Sequence, residues 1–231
     1  MNEQARIGIL ALDTRFPRIP GDVGNPATWP FPVRIEVVPG ATPERVVHGQ
    51  GKGLLPDFIA AGQRLVDEGV EVIVTTCGFL SLMQAELRAA LPVPVVTSAL
   101  MQLPLIAAML PPGKVAGIVT ASARSLTKAH LVAAGASPDV PVSGVPEDSE
   151  FARVFLGNRE TLDEASARHD VLGAAQFLVE TWPVVGAIVL ECANMGPYAA
   201  DVARETGLPV HDMVSLVRWL HQGLAPLRFG K

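Results

Sequence analysis

Short apolar runs rich in β-branched residues alternate with longer stretches of helical character along the whole chain. This alternation is typical of parallel strands joined by crossover helices, and it predicts an α/β fold. The predicted strands are Arg6–Leu12, Arg34–Val38, Val70–Thr76, Val93–Val96, Lys114–Thr120, Val140–Val145, Ala187–Glu191 and Pro209–Asp212. The predicted helices are Pro56–Glu68, Leu80–Leu91, Ala123–Ala134, Thr161–Trp182 and Pro197–Thr206.

The second half of the chain repeats the first half. The segment Arg6–Arg15 aligns with Val115–Arg124, and the alignment pairs a glycine and an arginine of each copy. The segment Val72–Cys77 aligns with Ala187–Cys192, so the only two cysteines of the chain occupy equivalent positions. Two copies of one unit of strands and helices, related by a pseudo-twofold axis, explain this pattern most simply.

Composition favours a compact protein that acts on a small molecule. Apolar residues make up 49% of the chain, enough for buried cores, and charged residues only 18%. The net charge is −5 and no run of lysine or arginine occurs, so we expect no nucleic-acid or membrane partner. The apolar stretch Ile7–Leu12 is too short for a signal peptide, and prolines interrupt region 99–119, so a cytoplasmic location is expected.

Each cysteine is predicted to lie at the carboxyl end of a strand, where the chain turns into a helix. Open α/β sheets bind ligands at this edge, so both thiols are expected to face one shared cleft. In a reducing cytoplasm both cysteines should be free thiols. The alternative interpretation, a small buried hydrophobic residue at the end of a strand, explains the matched positions of the two cysteines poorly.

Two facing thiols, Cys77 and Cys192, suit the inversion of a carbon next to a carboxyl-type group. One thiolate removes the proton and the other thiol returns one from the opposite face, with the roles exchanged in the reverse direction. The strand-to-helix position is expected to lower the pKa of a thiol. The backbone N–H groups expected to hold the developing oxyanion are those of Gly78, Phe79, Ala193 and Asn194.

The segments Thr75–Gly78 and Leu190–Met195, together with the repeat, resemble the aspartate/glutamate racemase superfamily, which includes hydantoin racemases, maleate isomerases and arylmalonate decarboxylases. The resemblance covers essentially the whole chain. It implies two pseudo-symmetric lobes, each a parallel-sheet αβα sandwich, with the active site in the interlobe cleft, two catalytic cysteines, and no metal or organic cofactor. It also implies that the C-terminal segment packs on the first lobe, so the lobes are predicted as 1–97 plus 213–231 and 98–212.

Further residues match substrate-binding positions of the superfamily. Asp13 resembles an acid that lies near a catalytic cysteine, with a turn or helix cap as its alternative role. Thr120 and Ser122 resemble a loop that hydrogen-bonds the substrate carboxylate, with capping of the next helix as the alternative. Thr76 is expected to place a hydroxyl beside the ligand, and Glu191 to tune the neighbouring thiol or to cap the strand end.

The segment between Thr14 and Arg34 contains five prolines and two glycines, which exclude a regular helix or a central strand. It follows directly on the first predicted strand. We therefore expect it either to cover the cleft, with Arg15 or Arg18 meeting a substrate carboxylate, or to form a rigid surface loop.

The segment Cys192–Asn194 resembles the second site of hydantoin racemases, and the presence of both cysteines argues against a decarboxylase. We therefore predict a cofactor-independent racemase or epimerase, an isomerase that acts on a hydantoin or on a small acid such as aspartate or glutamate. Two alternatives stay open. One is a maleate-type cis–trans isomerase that forms a covalent cysteine adduct, and the other is a non-catalytic protein that binds a small acid. A homodimer is compatible with the superfamily.

Overall fold

The computed structural model describes residues 4–227, which form two sheets with the same strand order. The first sheet has four parallel strands in the order β2-β1-β3-β4. They are β1 (Ile7–Leu12), β2 (Val33–Val38), β3 (Val72–Thr75) and β4 (Val95–Val96). Strand β1 carries no polar side chain and is buried along its whole length, as a central strand covered on both faces must be.

The second sheet repeats this arrangement in the order β6-β5-β7-β8, again with all strands parallel. Its strands are β5 (Val115–Thr120), β6 (Val142–Gly144), β7 (Val185–Leu190) and β8 (Val210–His211). All eight predicted strands are present, and equivalent strands take equivalent places in the two sheets. The predicted α/β fold with two pseudo-symmetric lobes is therefore confirmed.

Eight α-helices connect and cover the strands. They are α1 (Leu55–Asp67), α2 (Gln84–Ala90), α3 (Leu103–Met109), α4 (Lys128–Ala133), α5 (Glu150–Phe155), α6 (Glu164–Thr181), α7 (Ala199–Thr206) and α8 (Met213–Leu224). A six-residue 3-10 turn, Gly78–Met83 or Ala193–Tyr198, follows each cysteine and leads into α2 or α7. The repeat therefore extends to the turn that begins at each thiol.

Three of these helices were not among the predicted elements. Helices α3 and α5 are shorter than two turns, so their apolar periodicity is too brief to identify. Helix α8 begins with a capping box, in which Asp212 accepts from the Ser215 backbone N–H and the Ser215 hydroxyl accepts in return from Asp212. That reciprocal pair is the signal in the sequence that the prediction overlooked.

The helix predicted from Ala123 begins five residues later, as α4. The Ser122 hydroxyl accepts a hydrogen bond from the Ser125 backbone N–H at 3.2 Å and donates one to the Ser125 hydroxyl at 3.0 Å. Serine side chains compete in this way with helical backbone hydrogen bonds. The residues after β5 therefore form a loop beside the interlobe cleft.

The C-terminal helix α8 contacts residues of the first lobe, among them Arg6 and Phe31. Met213, Leu216 and Val217 belong to the hydrophobic core that also contains the residues of β1 and β3. The His221 ring stacks on Phe31 with ring centroids 3.6 Å apart. The predicted ranges 1–97 and 213–231 of the first lobe include residues 1–3 and 228–231, which lie outside the described residues.

The proline-rich segment after β1 is irregular except for one 3-10 turn at Pro26–Thr28, and it packs against the second lobe. The ring of Phe16 lies in the core of that lobe, in edge-to-face contact with Phe155 at 4.9 Å between centroids. A Cβ atom on Gly21 would lie 2.8 Å from Cα of Pro197, so only glycine permits this approach of the two backbones. The segment thus bridges the two lobes.

Within residues 4–227, no helix combines the length and the apolar character that a bilayer crossing requires.

Candidate active site

Cys77 and Cys192 line one small pocket between the lobes, and the pocket encloses about 20 Å³, room for a single water molecule. Its walls are mostly apolar and include three phenylalanine rings. The lining residues are Leu12, Phe16, Pro43, Val47, Thr76, Cys77, Phe79, Ala121, Phe155, Leu156, Cys192 and Asn194. Within residues 4–227 this lining contains no lysine or arginine, and no three His, Cys, Asp or Glu side chains converge on a metal site.

Cys77 lies between β3 and the 3-10 turn Gly78–Met83, and its side chain is 8% exposed. Burial and, to a smaller extent, the charge of Glu191 raise the pKa of the thiol to about 12. The backbone N–H groups at the start of the turn and the Arg18 guanidinium lower the pKa, but by less. Burial thus outweighs the lowering predicted from the strand-to-helix position, and the thiol is protonated at neutral pH.

Cys192 belongs to a chain of polar contacts that crosses between the lobes. Its Sγ donates to Oδ1 of Asn194 at 3.4 Å, and the Asn194 amide group donates to the Asp22 carboxylate. Asp22 in turn pairs with Arg18 at 2.8 Å. The Asn194 amide is therefore oriented with its carbonyl oxygen toward the thiol. Burial first, and then the charge of Glu191, keep the pKa of Cys192 well above its usual range.

The side chain directly before each cysteine accepts a hydrogen bond from the neighbouring strand. The Thr76 hydroxyl accepts from the backbone N–H of Leu12 at 3.1 Å. At the equivalent position of the second lobe, Oε2 of Glu191 accepts from the Thr120 hydroxyl at 2.7 Å, and the Ala121 backbone N–H also stabilises the carboxylate. Burial raises the pKa of Glu191 to about 7. Both side chains therefore accept a hydrogen bond from the neighbouring strand, but only Glu191 can ionise.

The predicted binding residues around these positions are all close to the thiols, but several already have partners. The Thr120 hydroxyl is used by Glu191, so it is not free for a substrate carboxylate. Gly78 and Ala193 are buried first residues of the two 3-10 turns. The backbone N–H of Asn194 interacts with the sulfur of its own cysteine. Phe79 contributes its ring to the pocket wall.

Asp13, Arg15 and Arg18 do not reach the thiol pocket. Asp13 is exposed, and its Oδ2 accepts from the Gly40 backbone N–H at 2.9 Å, which is the turn role given above as its alternative. Leu12 lines the pocket, so the alternation of an extended chain turns the Asp13 side chain away. Arg15 is exposed and lies 3.8 Å from Glu160. Arg18 is bound to Asp22 instead of facing the pocket.

A larger cavity of about 610 Å³ adjoins the thiol pocket. The two cavities share Val47, Ala121 and Leu156, which form the constriction between them. The polar and charged residues on the wall of the larger cavity are Glu44, His48, Gln50, Ser122, Arg124, Ser125, Thr127 and Glu147. Ser122 therefore lies in this outer cavity and not beside the cysteines.

Sequence reasoning missed Asp22 and the phenylalanines Phe16 and Phe155. The Asp22 contact with Asn194 joins residues 172 positions apart, and no local pattern indicates such a contact. Phe155 lies on a helix that was not predicted, and Phe16 in a segment without periodicity. The nearest signal is the Arg18 and Asp22 pair, two opposite charges four residues apart in the proline-rich segment.

No protein-family model matches the chain. Curated relatives, however, align over most of it. A dimethylsulfoniopropionate lyase of Durusdinium sp. clade D is 33% identical over 221 residues, which are 92% of this chain and 72% of that protein. Dimethylsulfoniopropionate lyase 3 of Emiliania huxleyi (strain CCMP1516) is 30% identical over 223 residues, which are 90% of this chain and 57% of that protein.

Solved structures with the same fold include the arylmalonate decarboxylase, with a TM-score of 0.61 and 16% identity over 95% of this chain and 92% of that one. The allantoin racemase from Klebsiella pneumoniae has a TM-score of 0.62 and 19% identity over 95% of this chain and 87% of that one. The chain thus has the fold that its resemblance to the aspartate/glutamate racemase superfamily implied.

The prediction of a racemase, and of an isomerase in general, is wrong, because the curated relatives are lyases. A shared fold does not determine the reaction that a protein catalyses. The chain belongs to the dimethylsulfoniopropionate lyase family, on the fold of the aspartate/glutamate racemase superfamily.

Proposed function

We propose that this chain is a lyase that eliminates a leaving group from the β-carbon of a small carboxylate, with dimethylsulfoniopropionate as the substrate. The observation that carries the proposal is one apolar pocket, lined by two thiols and three phenylalanine rings, in a chain whose curated relatives are lyases of this substrate. The pocket supports both parts of the reaction, removal of a proton and departure of a sulfonium group.

The reaction begins with removal of a proton from the carbon next to the carboxylate. A thiolate takes this proton, and the electron pair of the C–H bond forms the double bond between the α- and β-carbons. The bond between the β-carbon and sulfur breaks, and its electron pair leaves with sulfur as neutral dimethyl sulfide. The products are dimethyl sulfide and acrylate, and the thiol returns its proton to solvent before the next cycle.

Elimination needs one base, whereas inversion needs two, and the two thiols differ accordingly. Cys192 is held as a hydrogen-bond donor by Asn194. Burial raises the pKa of both thiols, and for Cys77 the backbone N–H groups and Arg18 partly offset this effect. Cys77 is therefore the base in this proposal, and Cys192 stays a neutral thiol that donates to Asn194.

The phenylalanine rings suit the cationic end of the substrate. A sulfonium group, like a quaternary ammonium group, is attracted to the face of an aromatic ring. Because it is weakly hydrated in water, its transfer to an apolar site is less costly than that of a strongly hydrated cation. Arg18 already places its guanidinium 4.8 Å from the centroid of Phe16, so this ring accepts a cation in the folded protein. Phe79 and Phe155 supply the other aromatic walls of the pocket.

The test is incubation of the purified chain with dimethylsulfoniopropionate, with dimethyl sulfide measured by gas chromatography and acrylate by NMR. Because Cys77 is the base, Cys77→Ser should lower kcat/KM by about 10²- to 10⁴-fold. Cys192→Ser keeps a hydrogen-bond donor beside Asn194 and should lower it by tenfold at most, about the effect of one weakened hydrogen bond. Glu147→Gln, a change of an exposed residue of the outer cavity, is the control and should leave the rate unchanged.

Absence of dimethyl sulfide with the wild-type chain would contradict the proposal. If the substrate then still protected the thiols from alkylation, the chain would be a binding protein, the non-catalytic alternative given above. A larger loss for Cys192→Ser than for Cys77→Ser would reverse the assignment of the base.

A further inference from the structure

Glu191 is a carboxylic acid in the interior of the cleft, and it is 1% exposed. Its Oε2 accepts from Thr120, but within the described residues its Oε1 is buried without a hydrogen-bond partner. Leaving such an oxygen unpaired is unfavourable for a carboxylate and less so for the neutral acid, which carries its own proton. The position therefore disfavours the charge of Glu191.

The equivalent position of the first lobe shows which side chain is sufficient to join the two strands next to the cysteine. Thr76, the equivalent residue before Cys77, accepts from the backbone N–H at the end of the neighbouring strand with a neutral hydroxyl, as Glu191 accepts from the Ala121 backbone N–H with its carboxyl group. A hydroxyl is sufficient to join the two strands at this point. The carboxyl group at the second position therefore adds something that the strand pairing does not need, an ionisable group beside both thiols.

Glu191 also touches the turn that carries the first thiol. A Cβ atom on Gly78 would lie 2.5 Å from the Glu191 backbone oxygen and closer still to Oε1. Glycine is therefore the residue that allows the carboxyl group of the second lobe to approach the chain directly after Cys77. One carboxyl group is thereby placed against the cysteine segments of both lobes.

The charged and titratable groups on the surrounding elements leave Glu191 without a cationic partner. Cys77 and Cys192 face it from the ends of β3 and β7, and its negative charge disfavours the thiolate of each. Arg18 from the proline-rich segment forms its ion pair with Asp22. Among the other buried titratable groups of the described residues, Asp22 adds negative charge near Cys192, and His130 of α4 packs its ring edge-on against Phe79 at 5.3 Å between centroids.

We propose that Glu191 is a positioning residue that sets the ionisation of both thiols, holding them neutral when it is charged and permitting a thiolate when it is protonated. A water-poor pocket without a free cation tolerates one negative charge far better than two. The pocket then carries its single charge on Glu191 or on a thiol, but not on both. This inference rests on the proposed function only in that the same thiols carry out the reaction.

The experiment is thiol alkylation by iodoacetamide, a neutral reagent, measured from pH 5.5 to 9.5 by mass spectrometry. Each thiol is followed singly, with Cys77→Ala or Cys192→Ala removing the other one. In both backgrounds, Glu191→Gln should raise the rate by about tenfold above pH 8, where Glu191 is charged, and should leave the rate unchanged below pH 6. The glutamine still accepts from Thr120, so a purely structural role would leave the profile in place.

Two further measurements keep the test decisive. The matched control, Glu147→Gln, removes an exposed carboxylate on the wall of the outer cavity and should leave both profiles unchanged. Glu191→Thr copies Thr76 of the first lobe and should shift the profiles as Glu191→Gln does. With Glu191 unchanged, the logarithm of the rate should rise by less than one unit per pH unit near pH 7, where Glu191 loses its proton.

A profile that rises with unit slope through pH 7, or that is the same with Glu191→Gln, would overturn the proposal. Neither result depends on a substrate. Failure of the lyase assay with a shifted alkylation profile would overturn the proposed function alone, and the reverse combination would overturn the role of Glu191 alone.

Discussion

Three ionisable side chains, Cys77, Cys192 and Glu191, share one region of the molecule from which water is almost excluded. Burial is the largest cause of the raised pKa for each of them. The folded protein therefore prefers all three in their neutral forms. At this scale the stability of the fold and the reactivity of the thiols depend on the same property, the small space between the lobes.

Glu191 makes the free energy of unfolding depend on pH. Its pKa is about 7 in the folded protein and near 4.5 in the unfolded chain, so between these values unfolding releases a proton and stability falls as pH rises. Over this range the loss is about 3 kcal/mol. Urea unfolding at pH 5 and pH 7.5 should show that Glu191→Gln removes most of this loss. Parallel curves for the wild type and Glu191→Gln would contradict the raised pKa.

The sequence predicts the residues whose positions follow from the repeat, and it fails where a contact is not local. The alignment of the two halves predicts that Cys77 and Cys192 are equivalent, and the structure brings both to one pocket. It gives no information on Asp22, because that contact depends on the path of the proline-rich segment between the lobes. Asp13 is the residue directly after Leu12 in an extended segment, so its side chain points to the opposite side.

The central elements of both lobes were predictable because β1, β3, β5 and β7 are buried, apolar and β-branched. The helices were less predictable, since α3 and α5 are too short to show a period. The predicted helices begin at Leu80 and Pro197, inside the 3-10 turns that follow the cysteines. The first of these turns matters for the site because Gly78 brings its backbone close to Glu191 of the second lobe.

Two glycines on different elements should respond in opposite ways to alanine. Gly78→Ala inserts a methyl group where Glu191 leaves no space, so it should lower the free energy of unfolding by about 1–3 kcal/mol. Gly173 lies in the exposed middle of α6 with no neighbouring atom within 4 Å of a Cβ position, so Gly173→Ala should raise it by about 0.5–1 kcal/mol. Thermal unfolding by circular dichroism distinguishes the two. Equal melting temperatures for Gly78→Ala and the wild type would mean that the lobes separate easily at this point.

At the scale of the whole molecule, the proline-rich segment joins the lobes through the buried contacts of Arg18, Asp22 and Asn194. Asp22→Ala leaves the Arg18 guanidinium without its buried partner and should lower the free energy of unfolding by about 3–5 kcal/mol. Glu147→Ala is the control, because it removes an exposed partner 3.9 Å from Arg124. Urea unfolding of both variants measures the difference. A similar small effect of both changes would mean that the interlobe contacts of Asp22 add no stability.

The family assignment illustrates how far a fold defines a reaction. The two-lobed fold is shared with a decarboxylase and with a racemase, yet the curated relatives are lyases. What these reactions have in common in the proposed mechanism is a carbanion next to a carboxyl group, and its fate depends on the group attached to the neighbouring carbon. In the proposed mechanism, the two cysteines account for removal of the proton, but they do not indicate which group leaves the neighbouring carbon.

The close contact of Gly78 with Glu191 has a consequence for the motion of the lobes. A pocket of about 20 Å³ is too small for a substrate and has to widen to admit one, and a widening that separates the lobes at Gly78 would let water reach Glu191. The hydrated carboxyl group releases its proton near pH 7, and closure of the lobes takes a proton up again. Opening and closing are therefore linked to proton exchange with the solvent: acid favours the closed molecule, and base favours the open form that exchanges product for substrate.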